Sequence, residues 1–271
     1  MKQSEKFEKF KALHARPGTF IIPNPWNAGT ARMLSALGFE ALATTSAGYA
    51  FSVGRRGSSG GLSRNEVLKN AQDIVNATDL PVSADLENGF GRAPETCAET
   101  IQMAAGIGLV GGSIEDATGT PDEPIYDFEL AVERVAAACE AARSLPMIIT
   151  ARTENFIFGR PNLDDTIKRL QAFAKAGADV VYAPGLPDID AIRLVCDAVD
   201  KPVNVVMGLR GATFSIEDLQ VVGVKRVSVG GAFARAALGG FMRAATEIRE
   251  HGTFKFADQA LSNADTKNQL A

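Results

Sequence analysis

Two carboxylates one residue apart, Asp85 and Glu87, stand in the stretch 81–92, which reads Pro-Val-Ser-Ala-Asp-Leu-Glu-Asn-Gly-Phe-Gly-Arg. The apolar run 81–84 predicts the end of a buried strand that delivers both acids into a turn rich in Gly and Asn. Alternation along a strand predicts that Asp85 and Glu87 point the same way. Paired carboxylates repel unless a cation lies between them, and hard oxygen ligands suit Mg²⁺, with Mn²⁺ as the alternative. A solvated acidic loop accounts for the pair equally well, so the weight rests on what the fold gathers beside it.

The elements that would position these acids recur along the chain. Apolar, β-branched runs occupy 19–22, 41–45, 81–84, 109–114, 147–150, 179–183, 202–206 and 225–229. Amphipathic stretches with recognisable starts separate them. Ser63 with Glu66 and Ser215 with Asp218 read as capping boxes, Pro94 suits a first helical turn, and Asp127 and Asn162 lead into apolar repeats. Gly177 and Gly223 stand where helices should stop. Eight strands alternating with helices predict an α/β chain folded as a (β/α)₈ TIM-type barrel with a C-terminal helical extension. An open doubly wound sheet would want a Gly-rich turn after the first strand, where the sequence has Pro-Asn-Pro-Trp-Asn. No linker of biased composition divides residues 1–271, which are expected to form one domain.

Barrel enzymes keep their chemistry at the C-terminal ends of the strands. There the sequence places Thr44-Thr45-Ser46-Ala47-Gly48, whose amides suit an oxyanion, then Asp85 and Glu87, Glu115 and Asp116, Arg152 and Glu154, Pro184, Asn204, and Gly230-Gly231. Acids on adjacent strands with an arginine on the next are what a metal-bound carboxylate substrate requires. Lys201 and Lys225 precede their strands, at the opposite end, which disfavours a Schiff-base aldolase.

Composition removes other classes. The 271 residues are 46% hydrophobic and 22% charged, with net charge −4, which argues against a nucleic-acid or anionic-membrane surface. No apolar run approaches a membrane span, and 1–11 lacks the apolar core of a signal peptide, so a cytoplasmic location is expected. Cys97, Cys139 and Cys196 are isolated and read as small buried hydrophobes. His14 and His251 lie near the ends of the chain, poorly placed for a Ser-His-Asp triad or a zinc site.

Four stretches in order, Thr44-Thr45-Ser46, Asp85-Leu86-Glu87-Asn88-Gly89-Phe90-Gly91, Ser113-Ile114-Glu115-Asp116 and Thr150-Ala151-Arg152-Thr153-Glu154, resemble the isocitrate lyase and phosphoenolpyruvate mutase superfamily over about residues 15 to 250. The carboxyvinyl-carboxyphosphonate phosphorylmutase-like members are the comparison. The resemblance implies a Mg²⁺-dependent barrel that makes or breaks C–C or P–C bonds of 2-oxo acids through an enolate-type species. It implies that Asp85 is the direct metal ligand and that Glu87 and Glu115 hold the ion's waters. Ser46, with the Ala47 and Gly48 amides, would receive the substrate carboxylate and oxyanion, and Arg152 would pair with the carboxylate. Asn204 is a weaker substrate contact, and Thr118 would orient the substrate's distal group. The resemblance also implies a homotetramer, a dimer of dimers, with the helix at 233–250 exchanged between subunits. Without it, that helix packs equally well on its own barrel, ahead of a polar tail at 252–271.

Three positions depart from the family pattern. Glu87 stands where the usual second acid is Asp. Gly57 follows Gly54-Arg55-Arg56 where many members have an acid. The segment after the fourth strand, Ala117-Thr118-Gly119-Thr120-Pro121-Asp122-Glu123-Pro124, lacks the lyases' Cys and His and is expected to be a mobile lid. An isocitrate lyase is therefore not expected. The leading function is a Mg²⁺-dependent C–C lyase, decarboxylase or hydrolase of a small 2-oxo or substituted malate-type dicarboxylic acid. Carbon–phosphorus chemistry is the alternative within the fold. A metal-independent phosphate-binding isomerase, suggested by Val229-Gly230-Gly231-Ala232, and a barrel without catalysis are the alternatives of other classes. The loop 52–61 is read as flexible; it has no P-loop spacing.

Overall fold

The structure, a computed structural model, describes residues 1–57, 61–209, 211 and 213–270. Eight parallel strands form one sheet: β1 (Phe20–Ile22), β2 (Leu42–Ala43), β3 (Val82–Asp85), β4 (Gly111–Glu115), and, after the hairpin β5 (Ala117–Thr120) and β6 (Glu123–Ile125), β7 (Ile148–Arg152), β8 (Val180–Tyr182), β9 (Val203–Val206) and β10 (Arg226–Ser228). Their order is β1-β10-β9-β8-β7-β4-β3-β2. β1 and β2 meet through the Ala43 N–H donating to the Pro23 carbonyl (3.0 Å), so the sheet nearly closes into the expected barrel. All eight strands fall on the predicted runs.

The helices outside the barrel are α2 (Ala28–Ala36), α3 (Ser46–Ser52), α4 (Arg64–Asn76), α5 (Pro94–Gly106), α6 (Phe128–Ala142), α7 (Leu163–Lys175), α8 (Ile189–Ala198), α9 (Ile216–Val221) and α10 (Ala232–His251). The predicted starts hold. Ser63–Glu66 and Ser215–Asp218 close capping boxes, Asp127 and Asn162 cap α6 and α7, and Pro94 is the first residue of α5. Gly177 and Gly223 lie just beyond α7 and α9 at φ 112° and 92°. These positive φ values are open to glycine at little steric cost.

Alternate strand residues face opposite sides. Outward residues such as Val82, Ile114, Ile149, Val181 and Val227 pack under the helices. Inward residues sort by height. At the N-terminal end Phe20, Ile22, Ile148 and Val180, with Val110 just before β4, join Phe10 and Leu13 of the helix α1 (Gln3–Ala15), which plugs the floor. That helix and the hairpin β5–β6 are additions to the sequence reading. The polar tail is in part regular: it forms a 3₁₀ turn at Lys255–Gln259 and α11 (Asn263–Gln269). Arg32 of α2 donates to the Leu270 carbonyl (3.0 Å) beyond α11. Its apolar residues are too few to show a helical pattern.

Candidate active site

Register brings the chemistry together. Asp85 sits opposite Ser113, Glu115 opposite Arg152, and Arg152 opposite Tyr182. Asp85, Glu115 and Arg152 are the last residues of β3, β4 and β7, so three strand ends form one mouth. The Arg152 Nη1 lies 3.4 Å from the Glu115 carboxylate and 3.9 Å from Asp85, and its Nε donates to Glu154. The Tyr182 ring supports the guanidinium at 5.0 Å. Burial pushes the Glu115 and Glu154 carboxyls up, against the pull of Arg152. The acids hold Arg152 well above the usual arginine range despite its own burial.

Ser46 opens α3 beside this mouth. Its hydroxyl (2.6 Å) and its N–H (3.1 Å) both donate to the Asp85 Oδ2. Thr45 caps the helix by accepting the Gly48 N–H at 3.1 Å. Of the two amides expected at an oxyanion, that of Gly48 is thus committed to the cap, and Ser46 beside them reaches Asp85. Ala47 keeps a first-turn donor without an intrahelical partner. Gly48 matters for space: a Cβ there would stand 2.7 Å from the Thr45 methyl and 3.2 Å from Ala234 and Trp26.

Glu87 corrects the alternation argument. β3 ends at Asp85, and Glu87 lies past it in a left-handed conformation (φ 49°). Its carbonyl accepts the Glu115 N–H at 2.9 Å, tying the two acidic residues through the backbone. Glu87 and Glu115 line an outer cavity of about 700 Å³, whereas Asp85 and Arg152 line a small cavity inside the barrel. Asn204, expected at a strand end, lies lower in its strand and lines the same small cavity as Asp85 and Arg152. It is the second residue of β9, buried inside the barrel, donating to the Ser228 hydroxyl (3.0 Å) and accepting from Arg226 (2.8 Å). Thr118 borders the outer cavity, but its hydroxyl donates to the Glu123 and Thr120 carbonyls within the hairpin. The expected irregular lid is that hairpin. A Cβ added at Gly57 would meet nothing within 4 Å, while 58–60 of the adjacent loop lie outside the described residues.

Tyr182 and Arg226 are site residues that the sequence reading missed. Arg226 opens β10 and is buried, donating also to the Thr150 hydroxyl (2.9 Å). Burial lowers it to about 10. A charged residue at the start of a barrel strand was the available signal. Behind the mouth, Asp116 accepts from the Thr153 hydroxyl, the Glu154 N–H (both 2.8 Å) and Arg169 (3.2 Å), and Arg169 continues to Asp165 (2.9 Å).

Among the described residues, no group of three or more His, Cys, Asp or Glu side chains is gathered to hold a metal directly. Asp85 keeps its Oδ1 buried without a hydrogen-bond partner. That acceptor, with further carboxylates around the mouth, fits a hard ion that takes few protein ligands and keeps most of its waters.

A family model described as phosphoenolpyruvate phosphomutase matches residues 10–249. The 2-methylisocitrate lyase of Shewanella oneidensis is 30% identical over 227 residues, covering 81% of this chain and 77% of its own. A Burkholderia cenocepacia structure, provisionally assigned as a lyase/mutase, superposes with TM-score 0.96 at 59% identity, covering 99% of this chain and 96% of that one. A 2,3-dimethylmalate lyase structure shares the fold at TM-score 0.87 and 23% identity, covering 100% of this chain and 95% of that one.

Proposed function

Because the chain belongs to the phosphoenolpyruvate phosphomutase family, we propose that it is a Mg²⁺-dependent C–C lyase, decarboxylase or hydrolase of a small 2-oxo or substituted malate-type dicarboxylic acid. The observation that carries the reading is the meeting of Asp85, Glu115 and Arg152 at three strand ends, with Ser46 bonded to Asp85. Asp85 would hold the ion directly, with Glu87 and Glu115 supporting its waters. When bound, the ion supplies a Lewis acid that draws electron density from the substrate's oxo or hydroxy oxygen.

The protein's own groups do the rest. Arg152 pairs with the substrate carboxylate, its plane backed by Tyr182 and its orientation fixed by Glu154. The Ala47 N–H would face the carbon skeleton where enolate charge develops, and a fixed donor there favours the charged state, while Ser46 holds Asp85 in place. Glu115, its carboxyl pushed up by burial against the pull of Arg152, stands beside the reacting atoms. The hairpin β5–β6 limits water at the outer cavity, and it brings neither thiol nor imidazole.

The reading takes 1–271 as one barrel unit working in the cytoplasm as a homotetramer. Support for assembly comes from α10, which buries only Ala234 and exposes Phe241 (66%) and Met242 (58%). No described helix is long and apolar enough to cross a membrane. Carbon–phosphorus chemistry is the second reading, favoured by the family description itself.

The test measures 2-oxo-acid release from oxaloacetate, alkylmalates, methylisocitrate and phosphonopyruvate, with Mg²⁺, with EDTA and with Asp85→Ala. Metal-dependent release lost in Asp85→Ala is expected, and the productive substrate separates C–C from P–C cleavage. Turnover indifferent to EDTA and to Asp85→Ala would sink the assignment.

A further inference from the structure

The outer cavity of about 700 Å³ is lined by charges of both signs, the carboxylates Glu87 and Glu115 and the guanidiniums of Arg64 and Arg92. Arg64, the first residue of α4, is engaged by Glu99 (3.3 Å) and by the Thr100 hydroxyl (3.4 Å). Arg92 pairs with no carboxylate among the described residues, and its guanidinium carbon lies 5.7 Å from the centre of the Tyr126 ring. It also borders the neighbouring cleft of Asp122, Glu123 and Asp127 without pairing with any of them.

The turn that presents Arg92 is built rather than loose. Arg134, 1% exposed, donates to the carbonyls of Asn88, Gly91 and Arg92. Its guanidinium lies 4.2 Å from the centre of the same Tyr126 ring. At Gly89 (φ 77°) a Cβ would stand 2.8 Å from the Cys97 sulfur, and at Gly91 one would stand 2.7 Å from the Thr96 methyl. Asn88 reaches across to the Thr118 carbonyl of the hairpin at 3.3 Å. A buried cation whose donors go to three carbonyls of one turn holds that turn in place, so the guanidinium of Arg92 hangs from a fixed backbone.

We propose that Arg92, with Arg64 beside it, receives a second carboxylate on the substrate, far from the end that meets Asp85 and Arg152. The substrate class is then a small dicarboxylate with a 2-oxo or 2-hydroxy acid at one end and a free carboxylate at the other. A planar guanidinium with open donors matches a carboxylate in bidentate fashion, and the ring behind it sets its plane. Monocarboxylates that carry only the first end leave Arg92 unfilled. The proposal rests on the metal and carboxylate roles given above to the inner end, that of Asp85 and Arg152.

Calorimetric titration of the Mg²⁺-saturated full-length protein tests it, with oxalate as the probe of the inner end and D- and L-malate as probes of both. Wild type, Arg92→Gln, Arg92→Lys and Asp85→Asn are compared, with melting curves to establish folding. Arg92→Gln is expected to weaken the better malate at least tenfold while changing oxalate less than twofold, with Arg92→Lys recovering part of the loss. Equal loss of both ligands, no loss of malate, or a wild type that binds oxalate but neither malate would overturn the proposal and leave the inner end standing. Oxalate binding no tighter to wild type than to Asp85→Asn would remove the inner-end assignment, and the proposal with it.

Discussion

At the scale of single residues, Glu87 and Gly48 do work that side-chain type alone does not express. Glu87 holds a left-handed backbone that costs a non-glycine residue about 1 kcal/mol or more. Glu87→Gly is therefore expected to leave stability unchanged or raise it by up to about 1 kcal/mol while Mg²⁺-dependent turnover falls. Urea melts and the 2-oxo-acid assay, run together, check the opposed directions. Gly48→Ala is the reverse case: the added methyl presses on Thr45, Ala234 and Trp26, so a loss of about 1–3 kcal/mol is expected, with Ser46 displaced. Thermal melting reads the first effect and kcat the second. Most of the mouth was legible in the sequence, because Asp85, Glu115 and Arg152 follow apolar runs that end at one face. Glu87 was identified for the wrong reason, since nothing in Asp-Leu-Glu says that the strand stops at Asp85. Asn204 was read at a strand end and lies second in β9, because a polar residue within a strand reads alike at either height.

Between elements, the acid beside Glu115 does the fastening. Asp116 joins the end of β4 to Thr153 and Glu154 after β7 and to Arg169 on α7. Arg169 also donates to the Tyr126 carbonyl (3.0 Å), where the hairpin rejoins the barrel. Asp116→Ala removes one of the two carboxylates on the buried Arg169 guanidinium and unties Thr153 and Glu154, so destabilisation of about 1–3 kcal/mol is expected. Denaturant unfolding measures it, and a loss below about 1 kcal/mol would refute this role. Strands and helix starts were readable because apolar runs and caps are local signals. The hairpin was not: Ala-Thr-Gly-Thr-Pro-Asp-Glu-Pro has no alternation of apolar residues, and its pairing is supplied by Thr118 bonding back to Glu123. Helix α1 was likewise hidden, as its two buried aromatic and aliphatic anchors, Phe10 and Leu13, lie among charged residues.

Across the whole molecule, the two ends of the barrel answer to different chemistry. The floor contains His14, whose Nδ1–H donates to the Phe10 carbonyl (2.8 Å) while its Nε2 accepts from Arg226 at 3.4 Å. The second bond requires the neutral ring, and burial, then Arg226 and Lys225, lower its pKa to about 3 against the opposing pull of the Phe10 carbonyl. The unfolded chain takes up a proton near pH 6.5 and the folded one does not, so His14 favours folding fully above pH 6.5 and loses that contribution as pH falls toward 3. A drop of roughly 2–3 kcal/mol by pH 4 is expected from this ring. It should shrink in His14→Gln when the two proteins' stability-pH curves are subtracted. The barrel architecture itself was legible from eight spaced runs, whereas its closure was not, because strand pairing around a ring is set by shape. That closure has a mechanical consequence. Seven strand pairs are laddered, while β1 and β2 are joined by the Ala43 to Pro23 bond, and Pro23 has no N–H to return. The wall therefore has a seam with one backbone bond, stitched above by the Asn24 side chain donating to the Thr44 carbonyl (2.9 Å), and it runs directly below the segment carrying Thr45 and Ser46.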